Sequence, residues 1–258
     1  MRRITARLLA LAAIAWAQAV NSDALDHKNL DAGRPLKLED PYALAAGEFA
    51  VEAGAGFSRN RGDSEQGIFP LQVLYGASPN FQVSLGSAYL DPRRPDDAPK
   101  SGDLGLGALY NLNQETLSTP ALGLKAEGRF PTGEDSSGTD ARIGLLITKS
   151  VDRLSLHLNG SHEFLGGAPA GARDGRNRLV FGASHPWGAP RRTLLTLVAD
   201  AFVEQSVMSG TKETVGAEIG FRRMLSPRVV WDAGLGREFS GPPERLALTF
   251  TTGLSVGF

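Results

Sequence analysis

The sequence predicts an all-β fold: a transmembrane, antiparallel, up-and-down β-barrel of about 12 strands with short periplasmic turns and longer extracellular loops. Three observations carry that expectation. Apolar and small or polar residues alternate with period two from Gly47 to Phe258, so successive side chains point to opposite faces of a strand. Long polar links alternate with short ones. Aromatic residues fall at both ends of the strands, where amphipathic rings favour the two membrane interfaces.

The clearest strand is the last. Leu246, Leu248, Phe250, Thr252, Leu254, Val256 and Phe258 share one parity, and Ala247, Thr249, Thr251, Gly253, Ser255 and Gly257 the other. One face is bulky and apolar; the other is small and uncharged. An alternating terminal strand ending in Phe resembles the assembly signal of bacterial outer-membrane β-barrels, which implies such a signal in Phe250, Leu254, Val256 and Phe258 and a barrel-assembly machinery as a partner.

The totals set bounds. The 258 residues carry a formal net charge of −1 and no cysteine, so nothing points to nucleic acid, and neither a disulfide nor a thiolate site can form. Mean hydropathy of −0.15 excludes a helical membrane protein but not a barrel, in which only alternate residues meet lipid. Thirty-one glycines spread along the chain suit curved walls and turns.

Arg2 and Arg3, the apolar run Leu8 to Trp16 and the small residues of Ala17-Gln18-Ala19 read as a secretory signal peptide over 1–19. The run is shorter than the ~20 residues a membrane-spanning helix requires. Residues 20–46 have mixed charge and no sustained period, and are expected as a periplasmic N-terminal segment ahead of a barrel over 47–258.

Strand signals then follow in order. Phe49 to Phe57, Phe69 to Tyr75 and Phe81 to Tyr89 give three, the last two joined at Ser78-Pro79-Asn80. Leu104 to Leu112, Leu122 to Phe130, Ile143 to Ile147, Leu154 to Phe164 and Leu179 to Ala183 give five more. Residues 193–204 are apolar on both parities, so a strand is expected there with its facing open. Val215 to Phe221, Val229 to Leu235 and the terminal strand complete the set. The long links are Arg59 to Gly67, Asp91 to Ser101, Pro131 to Thr139, Leu165 to Asn177 and Gln205 to Lys212, which places both termini at the periplasmic end. Phe57, Tyr89, Phe130, Phe164 and Phe239 then mark an outer girdle, and Tyr75, Phe81, Tyr110, Phe221 and Phe258 an inner one.

Charged residues on the second parity cannot face acyl chains, where Arg or Lys near the midplane costs ~2–4 kcal/mol. Glu52, Lys125, Glu127, Arg129, Arg142, His157, Glu218, Arg222 and Asp232 are therefore expected to line the lumen, as a pore wall or as a paired interior that holds the barrel in shape. Lys125, Glu127 and Arg129 cluster on one strand and are the candidate constriction. Twelve strands enclose less space than the about 16 to 18 of wide porins, so the lumen is expected to be narrow or partly plugged.

Catalysis would need a nucleophile beside a base. His162 lies on the lipid-facing parity with Asn177 close by, but Ser161 points the other way, so no serine is available and no enzyme is expected. Glu134, Asp135 and Asp140 could offer oxygens to Ca²⁺, yet without EF-hand spacing they read as hydrated loop carboxylates, and neither a metal nor a cofactor is expected. Gly102, Gly105 and Gly107 have the spacing of part of a nucleotide loop without the helix that must follow. Arg61-Gly62-Asp63 carries no weight alone.

Arg34-Pro35-Leu36, Glu39-Asp40-Pro41, Gly47-Glu48-Phe49, Ser101-Gly102-Asp103-Leu104-Gly105-Leu106-Gly107 and Gly128-Arg129-Phe130-Pro131-Thr132-Gly133 together resemble barrels of the phenol-degradation meta-pathway or putative outer-membrane transporter group. The resemblance covers most of the chain after residue 20. It implies a bacterial outer-membrane channel, embedded in lipid, that passes small solutes by diffusion, hydrophobic or aromatic ones included. Alternatives are a structural or surface-binding barrel with a blocked lumen, and a lipid-modifying enzyme at His162.

Overall fold

The computed structural model describes residues 26–30, 33–62, 65–92, 98, 100–134, 136–189, 194–243 and 245–258. The expected signal peptide, Asp63 and the candidate calcium ligand Asp135 lie outside the described residues. Strands form where the period-two pattern runs: β1 (Phe49–Asn60), β2 (Glu65–Ser78), β3 (Phe81–Asp91), β4 (Lys100–Ser101), β5 (Leu104–Asn113), β6 (Ala121–Phe130), β7 (Asp140–Val151), β8 (Leu154–Phe164), β9 (Gly175–Trp187), β10 (Leu195–Glu204), β11 (Thr214–Ser226), β12 (Val229–Ser240) and β13 (Leu246–Gly257). Every ladder is antiparallel. Sequential neighbours pair, β1 pairs with β13, and β2 with β3, so twelve strands close a ring. The two-residue β4 only extends the edge at Tyr89 and Leu90.

Closure satisfies every strand edge. The bulky row of β13 looks outward, with Leu248 and Leu254 among many exposed large hydrophobics, while Ser255 on the other parity is fully buried. Aromatic rings pair across strands at both ends. Phe49 stacks on Tyr75 at 4.4 Å and Phe221 meets Trp231 at 4.9 Å at the end that holds the termini, whereas Phe57, Phe69 and Tyr89 form a chain at the opposite, loop end.

The sorting of links is less strict than the sequence suggests. The link after β1 is four residues, because Asn60 and Glu65 already belong to strands. At the terminal end the link between β5 and β6 is long, and it is ordered by Glu115, which accepts from the Ser150 amide at 2.6 Å and from Lys149 Nζ at 3.1 Å.

The largest departure from expectation concerns residues 20–46. Far from lying outside the barrel, the described part enters the lumen beside Thr196, where His27 Nδ1 lies 2.8 Å from the threonine Oγ1, and returns to the terminal end before β1. An irregular chain inside a barrel must find partners for its backbone, and the wall supplies them. The amides of Lys37, Leu38, Glu39 and Leu44 donate to Glu218, Asp200, Asn159 and Gln82. The carbonyls of Pro35, Glu39 and Pro41 accept from Thr251, Asn159 and Asn111.

This plug also explains residues 193–204. Val198 and Phe202 face inward, and with Val180 they pack on Leu30, Leu36 and Leu38 of the plug. A strand that meets apolar surface on both sides is apolar on both parities.

Candidate functional site: a plugged lumen beneath a vestibule

The plug is seated by charge as well as by leucines. The Arg34 guanidinium lies 3.4 Å from Glu52 and 3.2 Å from Asp232, and donates to Ser255 Oγ at 3.2 Å. Its seat exists because Gly54 and Gly253 pair across β1 and β13. A Cβ on Gly253 would collide with Arg34 Nη1, and one on Gly54 would fall 2.7 Å from its Cδ. Gly220 and Gly234, paired across β11 and β12, leave the corresponding room for Leu36. Lys37 reaches Glu218 at 2.7 Å and lies 4.1 Å from the centre of the Phe202 ring. Glu39 takes Lys125 at 2.6 Å.

Above the plug, a ladder of ion pairs climbs one side of the lumen. Lys125 contacts Glu127 at 3.0 Å, Glu127 contacts Arg142 at 3.4 Å, and Arg142 contacts Glu163 at 3.0 Å. Glu163 also holds Arg129 and, at 2.5 Å, Arg176, which passes on to Glu204, itself bound to Arg178. Glu163, on β8, is almost wholly buried and collects three guanidiniums. Among the described residues, the ladder and the plug glutamate bring together five cations (Lys125, Arg129, Arg142, Arg176, Arg178) and five carboxylates (Glu39, Glu127, Asp140, Glu163, Glu204).

The ladder forms one wall of a cavity of about 500 Å³ at the loop end. The facing wall is apolar, with Ile68 and Pro70 on β2 and Ala88 and Leu90 on β3; Gly86, Gly105 and Gly107 form the recess between the two. The link from β6 to β7 stands at its rim. There Gly133 N donates to Asp103 Oδ1 at 3.0 Å and Ser136 Oγ to Oδ2 at 2.8 Å.

The Ser136 hydroxyl, aided by the Gly133 amide, holds the Asp103 carboxyl below the usual carboxylate range. A lowered value means that the latch is intact at neutral pH and is lost only as pH falls through that lowered value. The amide shift of Gly133 in an NMR titration is expected to move with a midpoint below the ordinary aspartate value of ~3.9; a midpoint at or above that value contradicts the latch.

All nine residues expected in the lumen face inward, but not as one cluster. Glu52 and Asp232 grip Arg34, and Glu218 holds Lys37. Lys125, Glu127, Arg129 and Arg142 belong to the ladder. His157 sits between Thr148 at 2.8 Å and Ser184 at 3.0 Å, and Arg222 is fully buried. The narrowing below the vestibule is made by the plug, with Lys125 as its wall partner. Arg34, Lys37 and Glu39, which seat the plug on the wall, are positions that the pattern on the strands does not reveal, since they lie in the aperiodic segment. Among the described residues no three His, Cys, Asp or Glu side chains gather as a metal site.

Replacing Arg34 by Met is expected to leave Glu52 and Asp232 buried beside an apolar chain and to loosen the plug. Limited proteolysis of folded barrels should then cut within residues 26–46 at least about tenfold faster, the equivalent of ~1.4 kcal/mol. Unchanged protection would show that Arg34 does not seat the segment.

No family model and no curated protein matches the sequence. Among solved structures, the chain is similar to the COG4313 outer membrane channel from Pseudomonas putida F1, with 14% identity over 89% of this chain and 100% of that one at a TM-score of 0.67. It is also similar to the KdgM porin, with 11% identity, 81% and 99% coverage and a TM-score of 0.57. The NanC porin gives 10% identity, 81% and 98% coverage and a TM-score of 0.55. At these identities the likeness is one of fold: a closed antiparallel barrel of twelve strands.

Proposed function

We propose that this chain is an outer-membrane channel that passes small solutes with an apolar part, and that it conducts when its N-terminal segment leaves the lumen. The observation that carries the reading is a plug bound in a closed barrel through hydrogen bonds, ion pairs and one small leucine cluster, beneath a vestibule open to the loop end. The encircling apolar band is far larger than the few hundred Å² that soluble monomers expose, and lipid is the solvent that suits it. Outer-membrane barrels of the same architecture among the solved structures support that location, with the termini on the periplasmic side.

The vestibule supports the solute class. Ile68, Pro70, Ala88 and Leu90 offer an apolar surface opposite the charged ladder, and the short motifs resembling phenol-pathway barrels point the same way. Diffusion needs no cofactor, and the expected roles of Lys125, Glu127 and Arg129 are to meet solute above the plug and to close on Glu39 beneath it. A second reading, a structural barrel with a permanently blocked lumen, is favoured by the match of five cations to five carboxylates across the ladder and the plug glutamate among the described residues. Single-channel recording in planar bilayers decides between them: intermittent conductance from the intact chain supports the channel, and an intact chain that stays silent, whether or not the plug-deleted chain conducts, supports the blocked barrel.

A further inference from the structure

We infer that the outer surface of β7 to β10 carries a specific binding site for a hydroxyl-bearing glycolipid of the outer leaflet, with one acyl chain in a slot at Gly160 and a headgroup hydroxyl on His162. The inference rests on the outer-membrane part of the proposed function and is independent of whether the lumen conducts. Along β8 the outward row reads Leu154, Leu156, Leu158, Gly160, His162 and Phe164, so one side chain is missing from an apolar face. A Cβ at Gly160 would meet only Leu179 Cδ1, at 3.9 Å. The result is an open groove of about 580 Å³ walled by Leu124, Ile143, Leu145, Leu179 and Val203.

The upper end of the groove is polar and its orientation is fixed. The Asn177 backbone amide donates to Gln205 Oε1 at 3.0 Å, which makes that oxygen an acceptor, so the Asn177 side-chain amide at 3.1 Å must donate to it as well. Asn177 Oδ1 is therefore turned to His162 Nδ1, at 2.8 Å, and the neutral imidazole carries its proton on Nδ1. Nε2 is left as an acceptor. Beside it stands Gly175, where a Cβ would lie 2.8 Å away; with no Cβ, that space is open at hydrogen-bond distance. The ring is steadied by Phe164, 4.5 Å away edge to face. An aligned acceptor directly above an acyl-sized slot fits a lipid with a hydroxylated headgroup, and the carboxylate of Glu213 at the rim offers a further acceptor for its hydroxyls.

The test is native mass spectrometry of the detergent-solubilised chain offered equal amounts of lipid A and of a hydroxyl-free phosphatidylcholine. The intact chain is expected to retain lipid A at least tenfold over phosphatidylcholine. Gly160→Leu, which fills the slot, should lose that retention tenfold or more. His162→Phe should keep the slot but hold the two lipids equally, and it carries the test if Gly160→Leu fails to fold. Equal retention of both lipids by the intact chain, or undiminished preference for lipid A in folded His162→Phe, overturns the inference. A chain that stays monodisperse in buffer without detergent would instead refute the membrane reading beneath it.

Discussion

A chain lacking residues 26–46 is expected to form a barrel that conducts continuously, with a unitary conductance several-fold above that of the intact chain and without its closures. The wall of the lumen is rigid where ladder hydrogen bonds close it, so the plug is the only described element that can move aside without breaking the ring. The deletion removes the Arg34, Lys37 and Leu38-amide contacts of Glu52, Asp232, Glu218 and Asp200, and the Glu39 contact of Lys125. Four carboxylates that lose a contact, against one lysine that loses a carboxylate, should make the pore cation-selective. A reversal potential in a tenfold salt gradient reads this directly, and anion selectivity would contradict the seating of the plug. The leucine cluster is opened too, since Leu30, Leu36 and Leu38 leave Val180, Val198 and Phe202 exposed to water. The truncated barrel should therefore unfold at lower denaturant than the intact one.

Glu163→Ala is expected to be the most damaging single substitution in the vestibule. It removes the one carboxylate shared by Arg129, Arg142 and Arg176 and leaves each guanidinium with a single carboxylate, Asp140, Glu127 and Glu204 respectively. Breaking a buried pair from one side costs about 3 kcal/mol or more when the remaining charge is left alone; the second carboxylate that each arginine keeps, and their partial exposure, hold the expected loss below that figure. Equilibrium unfolding of the barrel in lipid vesicles, followed by tryptophan fluorescence, measures it. Glu163→Gln should recover part of the loss by accepting one of the three bonds. If Ala and Gln variants both match the native midpoint, the ladder holds nothing together.

The two kinds of structure in this protein differ in how far sequence exposes them. Strand parity was legible because lipid and lumen impose opposite chemistry on alternate residues: Leu248 and Leu254 had to face away from Ser255, and Glu52 away from Val51. Facing failed only for residues 193–204, where Val198 and Phe202 meet the plug and erase the contrast on which parity depends. The plug itself has no period to detect. Its order comes from partners far along the chain, as with Arg34, whose seat is built by residues near 53, 232 and 254. A trace existed in the glycines. Gly54, Gly220, Gly234 and Gly253 all fall on the inward parity, and side-chain-free positions on an inner wall imply that something else fills the space. Curvature alone was the expected explanation, and it is insufficient at Gly253, where Arg34 stands in place of a side chain. Glu163 was legible as inward-facing, but its three arginines come from β6, β7 and β9, a convergence that only the ring closure creates.

Locking the plug tests the central claim most directly. The chain has no cysteine, so a pair introduced as Pro41→Cys and Gly123→Cys is the only disulfide that could form. A Cβ at position 123 lies 2.8 Å from the Pro41 Cβ, near enough for a bond whose Cβ atoms sit about 3.8 Å apart after a small shift. Single-channel recording of this variant should show a closed barrel under oxidant and restored openings after reductant. Failure of the pair to cross-link in folded barrels, or equal conductance in the two states, would contradict a lumen closed by its own N-terminal segment.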